Sequence, residues 1–170
     1  MEQALEEFGP LDGLVIDNRM NGGGLGSVAE AIFAFFTSGP MGYFVNSQGA
    51  SLFSIDPTPV NNSQTVPLII LIGEDTVSYG EVFAGGLQDI GRAELVGQTT
   101  LGNVEQLRAF DFDDGSRVWL ATNRFDPLNS APTWEQSGVV PDVVVAGAWE
   151  DFTAENDPAV AAALELLAQP

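Results

Sequence analysis

The sequence predicts an α/β fold, a mixed β-sheet with flanking helices, from the order and composition of its segments. Short apolar runs alternate with helical segments along the chain, which is the order typical of α/β domains. Two of the runs, 14–17 and 68–72, are continuously apolar, as in strands that are covered on both faces. Each is followed by a helical segment, as in the strand and helix units of a partly parallel sheet.

Length and composition predict a single domain. With 170 residues, 45% of them hydrophobic, the chain can bury a full core without disulfides or metals. The net charge of −19 repels phosphate backbones and anionic lipids, so we expect neither a nucleic acid nor a membrane as partner. The longest apolar run, 66–72, is far shorter than the roughly 20 residues that cross a bilayer. The acidic N-terminus lacks the features of a secretory signal.

The sequence contains no cysteine, which removes disulfides and thiolate ligands from consideration. The cellular compartment therefore stays open. The oligomeric state also stays open, a homo-oligomer included.

The first half of the chain divides at glycines and prolines. A helix is predicted over 2–8 and ends at Gly9. Strand 14–17 leads into the glycine-rich segment 18–26, and Ser27 with Glu30 forms a Ser-x-x-Glu pattern that predicts a capping box before a helix over 28–36. Two short strands within 39–55, a loop over 56–65 and strand 68–72 follow.

The second half begins with a helix over 78–90 that contains three interior glycines. Each such glycine costs about 1 kcal/mol relative to alanine, so we expect close packing of other groups against this helix. The remaining predicted elements are strand 93–96, a hairpin of 104–112 and 116–122 around Asp113-Asp114-Gly115, strand 141–145, and a helix from an Asp157 N-cap through 167.

Ser78 is the first candidate functional residue, because it lies where a buried strand passes into a helix. One interpretation is structural, since Ser78 and Glu81 form a second Ser-x-x-Glu capping box. The other is catalytic: a hydroxyl at this junction is exposed, and the N–H groups of the helix N-terminus stabilise negative charge beside it. The two roles are compatible.

The triple-glycine segment 22–24 is the second candidate. It is either a flexible turn or a loop whose N–H groups meet an anion. The dinucleotide fingerprint is incomplete, because Ser27 replaces the third glycine, and the chain has no lysine to bind phosphate. The acidic residues 111, 113 and 114 fit no calcium loop and indicate a solvated hairpin tip, so we expect neither metal nor cofactor.

These segments together resemble the carboxyl-terminal processing (tail-specific) serine proteases, peptidase family S41. The segment 13–24 (GLVIDNRMNGGG) is similar to their "LDLRNNPGG" signature, and further similar motifs follow in the family order: SYGE at 78–81, AGGLQDIGRA at 84–93, VGQTTLG at 96–102, DGS at 114–116 and GVVPD at 138–142. The resemblance covers roughly residues 10–146. It implies the layered ββα architecture shared with crotonases and Clp proteases.

The resemblance also implies site roles. Ser78 is similar to the nucleophile, and the Tyr79 N–H with Gly23 or Gly24 to the oxyanion hole. Members with a Ser–Lys dyad have a lysine at the position of Asn103, and a neutral amide cannot take the proton. The dyad is therefore excluded for this chain.

Glu135 resembles the glutamate of the tricorn-like Ser–His–Glu branch, where it orients a histidine. The chain contains no histidine, so that residue would come from sequence before Met1. Relative to the family core, the chain is expected to begin one strand late, and 147–170 is expected to be a C-terminal helical extension. No PDZ domain lies within these residues, and whether one precedes them stays open. Glu105 is a rival base, although a solvated strand carboxylate is the simpler interpretation.

The resulting expectation is the core of a serine endopeptidase that acts on peptides or proteins and is weak or inactive as this chain alone. The first alternative is a ligand- or peptide-binding module on the same fold, as in the related photoreceptor retinoid-binding proteins. A crotonase-like acyl-CoA enzyme is disfavoured by the shortage of cations.

Overall fold

A computed structural model of the chain describes residues 1–130, 133–147, 152–153 and 155–169. The predicted α/β class is confirmed, and the strands divide between two sheets. Part of the expected extension 147–170 lies outside the described residues. The helices and strands are α1 (Glu2–Phe8), β1 (Leu14–Asp17), α2 (Gly26–Phe36), β2 (Gly39–Asn46), β3 (Gly49–Ile55), β4 (Leu68–Ile72), α3 (Tyr79–Asp89), β5 (Glu94–Gly97), β6 (Gln106–Asp111), β7 (Arg117–Pro127), β8 (Val143–Val144) and α4 (Pro158–Leu167).

The first sheet is parallel and has the order β1-β4-β5-β8. All five residues of β4 are buried, as its continuous apolar sequence predicts. Asp17 at the end of β1 pairs with Leu71, next to the end of β4. The loops that leave the two strands therefore begin side by side at one edge of the sheet, which is where ligands of open parallel sheets bind.

The second sheet is antiparallel, with the order β3-β2-β7-β6, and it packs through aromatic side chains. Phe44, Phe53 and Phe125 from β2, β3 and β7 meet edge to face, with ring centroids 5.4–6.0 Å apart. Phe33 of α2 lies 5.7 Å from Phe53 and 5.2 Å from Phe83 of α3. Each such pair adds about 0.5–1.5 kcal/mol beyond burial, so this cluster holds both helices against the sheet.

Helices α2 and α3 lie between the two sheets, and α4 covers the other face of the parallel sheet. Ala159 and Ala163 of α4 are buried against Ile69, Leu71 and Val96. The predicted N-cap of α4 is confirmed, since the side chain of Asp157 accepts hydrogen bonds from the first turn. No helix within the described residues is long and apolar enough to cross a membrane.

Two of the three interior glycines of α3, Gly80 and Gly85, are explained by close packing, as expected. A Cβ on Gly80 would lie 2.4 Å from the carbonyl oxygen of Asn21. A Cβ on Gly85 would lie 2.7 Å from the side chain of Val139. Both distances are below those that real Cβ atoms adopt, so the helix approaches its neighbours to within backbone contact at these positions.

The capping box predicted for α2 is wrong. The helix begins at Gly26, Leu25 is its N-cap, and no side chain caps it. Ser27 and Glu30 both lie inside the helix and are exposed. A Cβ on Gly26 would lie 2.7 Å from the Tyr79 hydroxyl oxygen, so the first residue of α2 packs closely on that side chain.

Candidate active site

Ser78 occupies a strained turn at the N-terminus of α3. Its φ and ψ angles are 59° and −126°, and such conformations cost a residue other than glycine about 1–3 kcal/mol. The Ser78 N–H donates to the carbonyl oxygen of Asn103 and to Oε2 of Glu81, both at 3.0 Å. A half-buried serine on a strained strand-to-helix turn is the arrangement that exposes the nucleophilic hydroxyl of α/β-hydrolases.

Glu81 holds this turn in place through a fully buried carboxylate. Besides Ser78, its Oε2 accepts the N–H of Asn103 at 2.9 Å. Its Oε1 accepts the hydroxyl of Thr100 at 2.5 Å and the N–H of Gly102 at 2.6 Å. Hydrogen bonds to a charged acceptor are worth about 1.5–3 kcal/mol each, so Glu81 ties the Ser78 turn firmly to segment 100–103.

Segment 18–25 between β1 and α2, here termed the glycine loop, meets the turn at Ser78 through Gly23. A Cβ on Gly23 would lie 2.7 Å from Cβ of Ser78 and 3.0 Å from both Oγ of Ser78 and the backbone nitrogen of Tyr79. Gly23 also has a φ of +85°, which disfavours other residues. Gly24 has a φ of +146° with no atom within 4 Å of its Cβ position, so Gly23 is the glycine packed against Ser78.

Asparagine side chains and carbonyls hold the loop against this turn. Asn21 accepts the Val77 N–H on its carbonyl oxygen at 2.9 Å. The Asn21 side chain donates from Nδ2 to Oδ1 of Asn18 at 2.8 Å. The buried Asn18 donates from Nδ2 to the carbonyl oxygen of Gly80 and accepts the hydroxyl of Thr76 on its carbonyl, both at 3.0 Å. The loop therefore has a defined position relative to Ser78.

The two expected oxyanion donors differ in their surroundings. Tyr79 is the first residue of α3, a position whose N–H has no acceptor within the helix. The Gly23 N–H donates to Oδ1 of its neighbour Asn21 at 3.0 Å. An anion that bound both donors would have to share or replace the Asn21 oxygen.

The remaining predicted residues lie on two neighbouring segments, Asn103 and Glu105 on one and Glu135 on the other. The backbone of Asn103 is bonded to Ser78, and its side chain is exposed. Glu135 accepts the N–H of Val104 on Oε2 at 2.8 Å, so its carboxylate lies one residue from Asn103. Glu105 is half-buried. Within the described ranges, no three His, Cys, Asp or Glu side chains form a group that could hold a metal ion.

A mainly apolar cavity of about 580 Å³, which Asp17 and Arg19 also line, opens beside the glycine loop. Tyr79 and Gly23 form its side nearest Ser78. Its Tyr79 hydroxyl accepts a long hydrogen bond from Gln106, at 3.4 Å. Burial, with the nearby Glu30 charge, raises the pKa of Tyr79, so the phenol stays neutral. The apolar side chains that line the cavity are Met1, Ile16, Met20, Leu25, Val28, Ala29, Ile32 and Phe83.

Sequence reasoning missed the part that Glu81 plays. The Ser-x-x-Glu spacing identified it as a capping residue, and its bond to the Ser78 N–H fits that prediction. The three further bonds come from segment 100–103, about twenty residues away along the chain. No local pattern signals them, although the threonine and glycine at 100 and 102 lie within a segment similar to a family motif.

Several known proteins similar to this chain are peptidases. The model of peptidase family S41 matches residues 1–145. A carboxyl-terminal-processing protease of Picosynechococcus sp. is 32% identical over 164 residues, which are 93% of this chain and 38% of that protein. The tricorn protease of Thermoplasma volcanium is 27% identical over 157 residues, 92% of this chain and 15% of that protein.

Similarity extends to solved structures and agrees with the two-sheet architecture. A photosystem II D1 C-terminal processing protease superposes with a TM-score of 0.74 and 29% identity, over 86% of this chain and 38% of that one. The chain therefore spans well under half the length of these relatives. With the family model matched over most of its residues, this chain belongs to peptidase family S41.

Proposed function

We propose that this chain forms the catalytic core of a serine endopeptidase that cleaves peptide bonds through an acyl-enzyme on Ser78. The contact between Gly23 and Ser78 carries the proposal, because it brings the glycine loop and the Tyr79 nitrogen together around one hydroxyl. Membership of a peptidase family supports the reaction class.

In the proposed reaction, Oγ of Ser78 attacks the carbonyl carbon of the scissile peptide bond, and its proton passes to a general base. The carbonyl oxygen becomes an oxyanion beside the N–H of Tyr79 at the positive end of α3. The proton then passes to the leaving amine, and water releases the acyl group by the same route. One such oxyanion donor is typically worth about 10²–10³ in rate.

The general base is proposed to be a histidine outside this sequence, oriented by Glu135. The chain has neither lysine nor histidine, and Asn103 takes the place of the dyad lysine. The Val104 N–H fixes one oxygen of Glu135, which leaves the other for an imidazole. Loss of the base typically costs about 10²–10⁴ in rate, so these 170 residues alone are expected to be slow or inert.

The cavity suggests the kind of substrate side chain that binds beside the reacting bond. It lies next to Gly23, and Val28, Ile32 and Phe83 contribute apolar surface to it. An apolar side chain would gain about 25 cal/mol per Å² buried there. The proposed substrate is thus a peptide or protein segment with an apolar residue near the scissile bond.

A fluorophosphonate probe tests this proposal on the chain together with whatever sequence its gene places before Met1. We expect the probe to modify Ser78, identified by mass spectrometry, and Ser78→Ala to abolish labelling. Ser137→Ala, at an exposed serine in the turn after Glu135, should label like the unchanged protein. The absence of any labelling, with no histidine upstream, would overturn the proposal.

A binding module is the second candidate, and the apolar cavity favours it. Without a base, an apolar cavity of about 580 Å³ still holds a small apolar ligand or side chain. Titration with the neutral dye Nile red, alongside the labelling experiment, separates the two. Dye binding that Val28→Asp abolishes, without labelling of Ser78, would support the binding module.

A further inference from the structure

One ion pair connects the C-terminal helix with the glycine loop. Oδ2 of Asp157, the N-cap of α4, lies 2.8 Å from Nη1 of Arg19 in an ion pair without hydrogen-bond geometry, and both side chains are only 10% exposed. Oδ1 of the same carboxylate accepts the N–H groups of Ala159 at 2.9 Å and Val160 at 3.2 Å. A single side chain thus caps α4 and binds an arginine from the other end of the sequence.

Arg19 is held from both sides. Its Nε and Nη2 donate to the two carboxylate oxygens of Asp17, at 2.9 and 2.6 Å. These hydrogen bonds outweigh burial and, together with Asp157, raise the pKa of Arg19, so the guanidinium remains charged. Because a buried cation is costly without paired anions, both carboxylates help to keep Arg19 where it is.

The backbone at Arg19 lies on the side of the loop that faces Ser78. The Thr76 hydroxyl reaches the carbonyl oxygen of Arg19 at 3.4 Å, and the Val77 N–H donates to Asn21 two residues further on. The loop that brings Gly23 to Ser78 is therefore held by Thr76 and Val77 on one side and by α4 on the other.

Helix α4 lies beyond the residues that the family model matches, which end at 145. We infer that Asp157 is a positioning residue, whose ion pair with Arg19 holds the glycine loop against the Ser78 turn. This role in catalysis rests on the proposed peptidase function. The positioning itself is a property of the fold, so it can be measured separately.

Asp157→Asn isolates the ion pair. Asparagine is as good an N-cap as aspartate, so the variant keeps α4 capped while it removes the charge opposite Arg19. The matched control is Glu165→Gln, which removes the same charge from an exposed position of the same helix. Both variants are made in the 170-residue chain.

Amide hydrogen exchange, followed by NMR, reports on the loop. The Val77 N–H bonds to Asn21 and opens when the loop leaves the turn, whereas the buried Thr37 N–H bonds to Phe33 at the far end of α2. In Asp157→Asn we expect Val77 to exchange about tenfold faster, equivalent to about 1.4 kcal/mol. Thr37 should keep its rate, and Glu165→Gln should change neither amide. An unchanged Val77, or equal acceleration of both amides, would overturn the inference.

Fluorophosphonate labelling of the chain together with whatever sequence its gene places before Met1 then tests the consequence for the reaction. Asp157→Asn should lower the maximal labelling rate of Ser78 by about tenfold while the probe concentration at half-maximal rate stays unchanged, the pattern of lost transition-state stabilisation. If the unchanged protein is not labelled, the peptidase proposal fails while the exchange result still decides the positioning. If it is labelled and Asp157→Asn labels equally fast, the catalytic role of Asp157 is refuted.

Discussion

The carboxylate of Glu81 lies 3.0 Å from the backbone nitrogen of Ser78, and the Glu81 side chain is completely buried. One buried acid thus receives the N–H of the proposed nucleophile and three donors from segment 100–103. These donors satisfy both oxygens of the buried carboxylate, which is how such groups are tolerated. Glu81 therefore joins the backbone of Ser78 to segment 100–103 within the candidate site.

We expect Glu81→Gln to destabilise the fold by about 3 kcal/mol, because the new amide group would face N–H donors that now bond to a carboxylate oxygen. Urea unfolding followed by circular dichroism measures the change. Glu94→Gln, at an exposed position of β5, is the control and should stay within about 0.5 kcal/mol of the unchanged chain. Equal stability of the two variants would contradict the buried network.

We expect Gly23→Ala to destabilise the chain by about 1–2 kcal/mol and to abolish Ser78 labelling in the full-length protein. Its methyl group would lie 2.7 Å from Cβ of Ser78, on a backbone with φ of +85°. Gly22→Ala is the matched control, since no atom lies within 4 Å of its Cβ position. Thermal unfolding and labelling of both variants decide the matter, and similar behaviour of the two would refute the contact.

We expect Val28→Asp to weaken binding of a leucine-containing tetrapeptide by about tenfold, because a charge in the cavity wall disfavours an apolar side chain. Isothermal titration calorimetry measures the affinity. Ala31→Asp places the same charge at an exposed position of α2 that is not part of the cavity lining, and should leave affinity unchanged. A peptide whose leucine is replaced by aspartate should not bind the unchanged chain or either of the two variants.

The contribution of Asp17 to the stability of the fold should be lost at acid pH. Burial acts to raise the pKa of Asp17, but hydrogen bonds from Arg19 outweigh it and hold the pKa below the usual value. A carboxyl whose pKa is lower in the folded state stabilises the fold above its unfolded pKa of about 3.9, and this contribution disappears as pH falls through the folded pKa.

The measurement is the Tm of the unchanged chain and of Asp17→Asn across the pH range. The variant should have the lower Tm at pH 6, and the difference should shrink below about pH 4 as Asp17 protonates. Asp12→Asn, which removes an exposed carboxylate from the same part of the chain, is the charge control and should have a Tm close to that of the unchanged chain. A Tm difference that grows toward low pH would contradict the sign of this shift.

Most elements could be predicted from the sequence because their signals are local. The continuous apolar run of β4, the turn residues of the β6 and β7 hairpin, and the Asp157-Pro158 start of α4 each act through neighbouring residues. These predictions needed no knowledge of distant contacts, which is why they agree with the structure.

Two identical patterns show where local reasoning ends. Ser27-x-x-Glu30 and Ser78-x-x-Glu81 have the same spacing, yet only the second is a capping box. The exposed Glu30 gains little by leaving water, whereas Glu81 is enclosed by segment 100–103 and has its N–H donors around it. The difference lies in partners that are remote in sequence.

The sequence alone determined the fold class and the position of Ser78 at a strand-to-helix junction, since these follow from periodicity, and its ordered motifs determined the resemblance to a peptidase family. Only the tertiary structure decided that Gly23 is the glycine packed against Ser78, and that Asp157 binds Arg19. The physical reason is that hydrophobic pattern and propensity act over a few neighbouring residues. Close contacts between distant segments exist only once the core has brought those segments together.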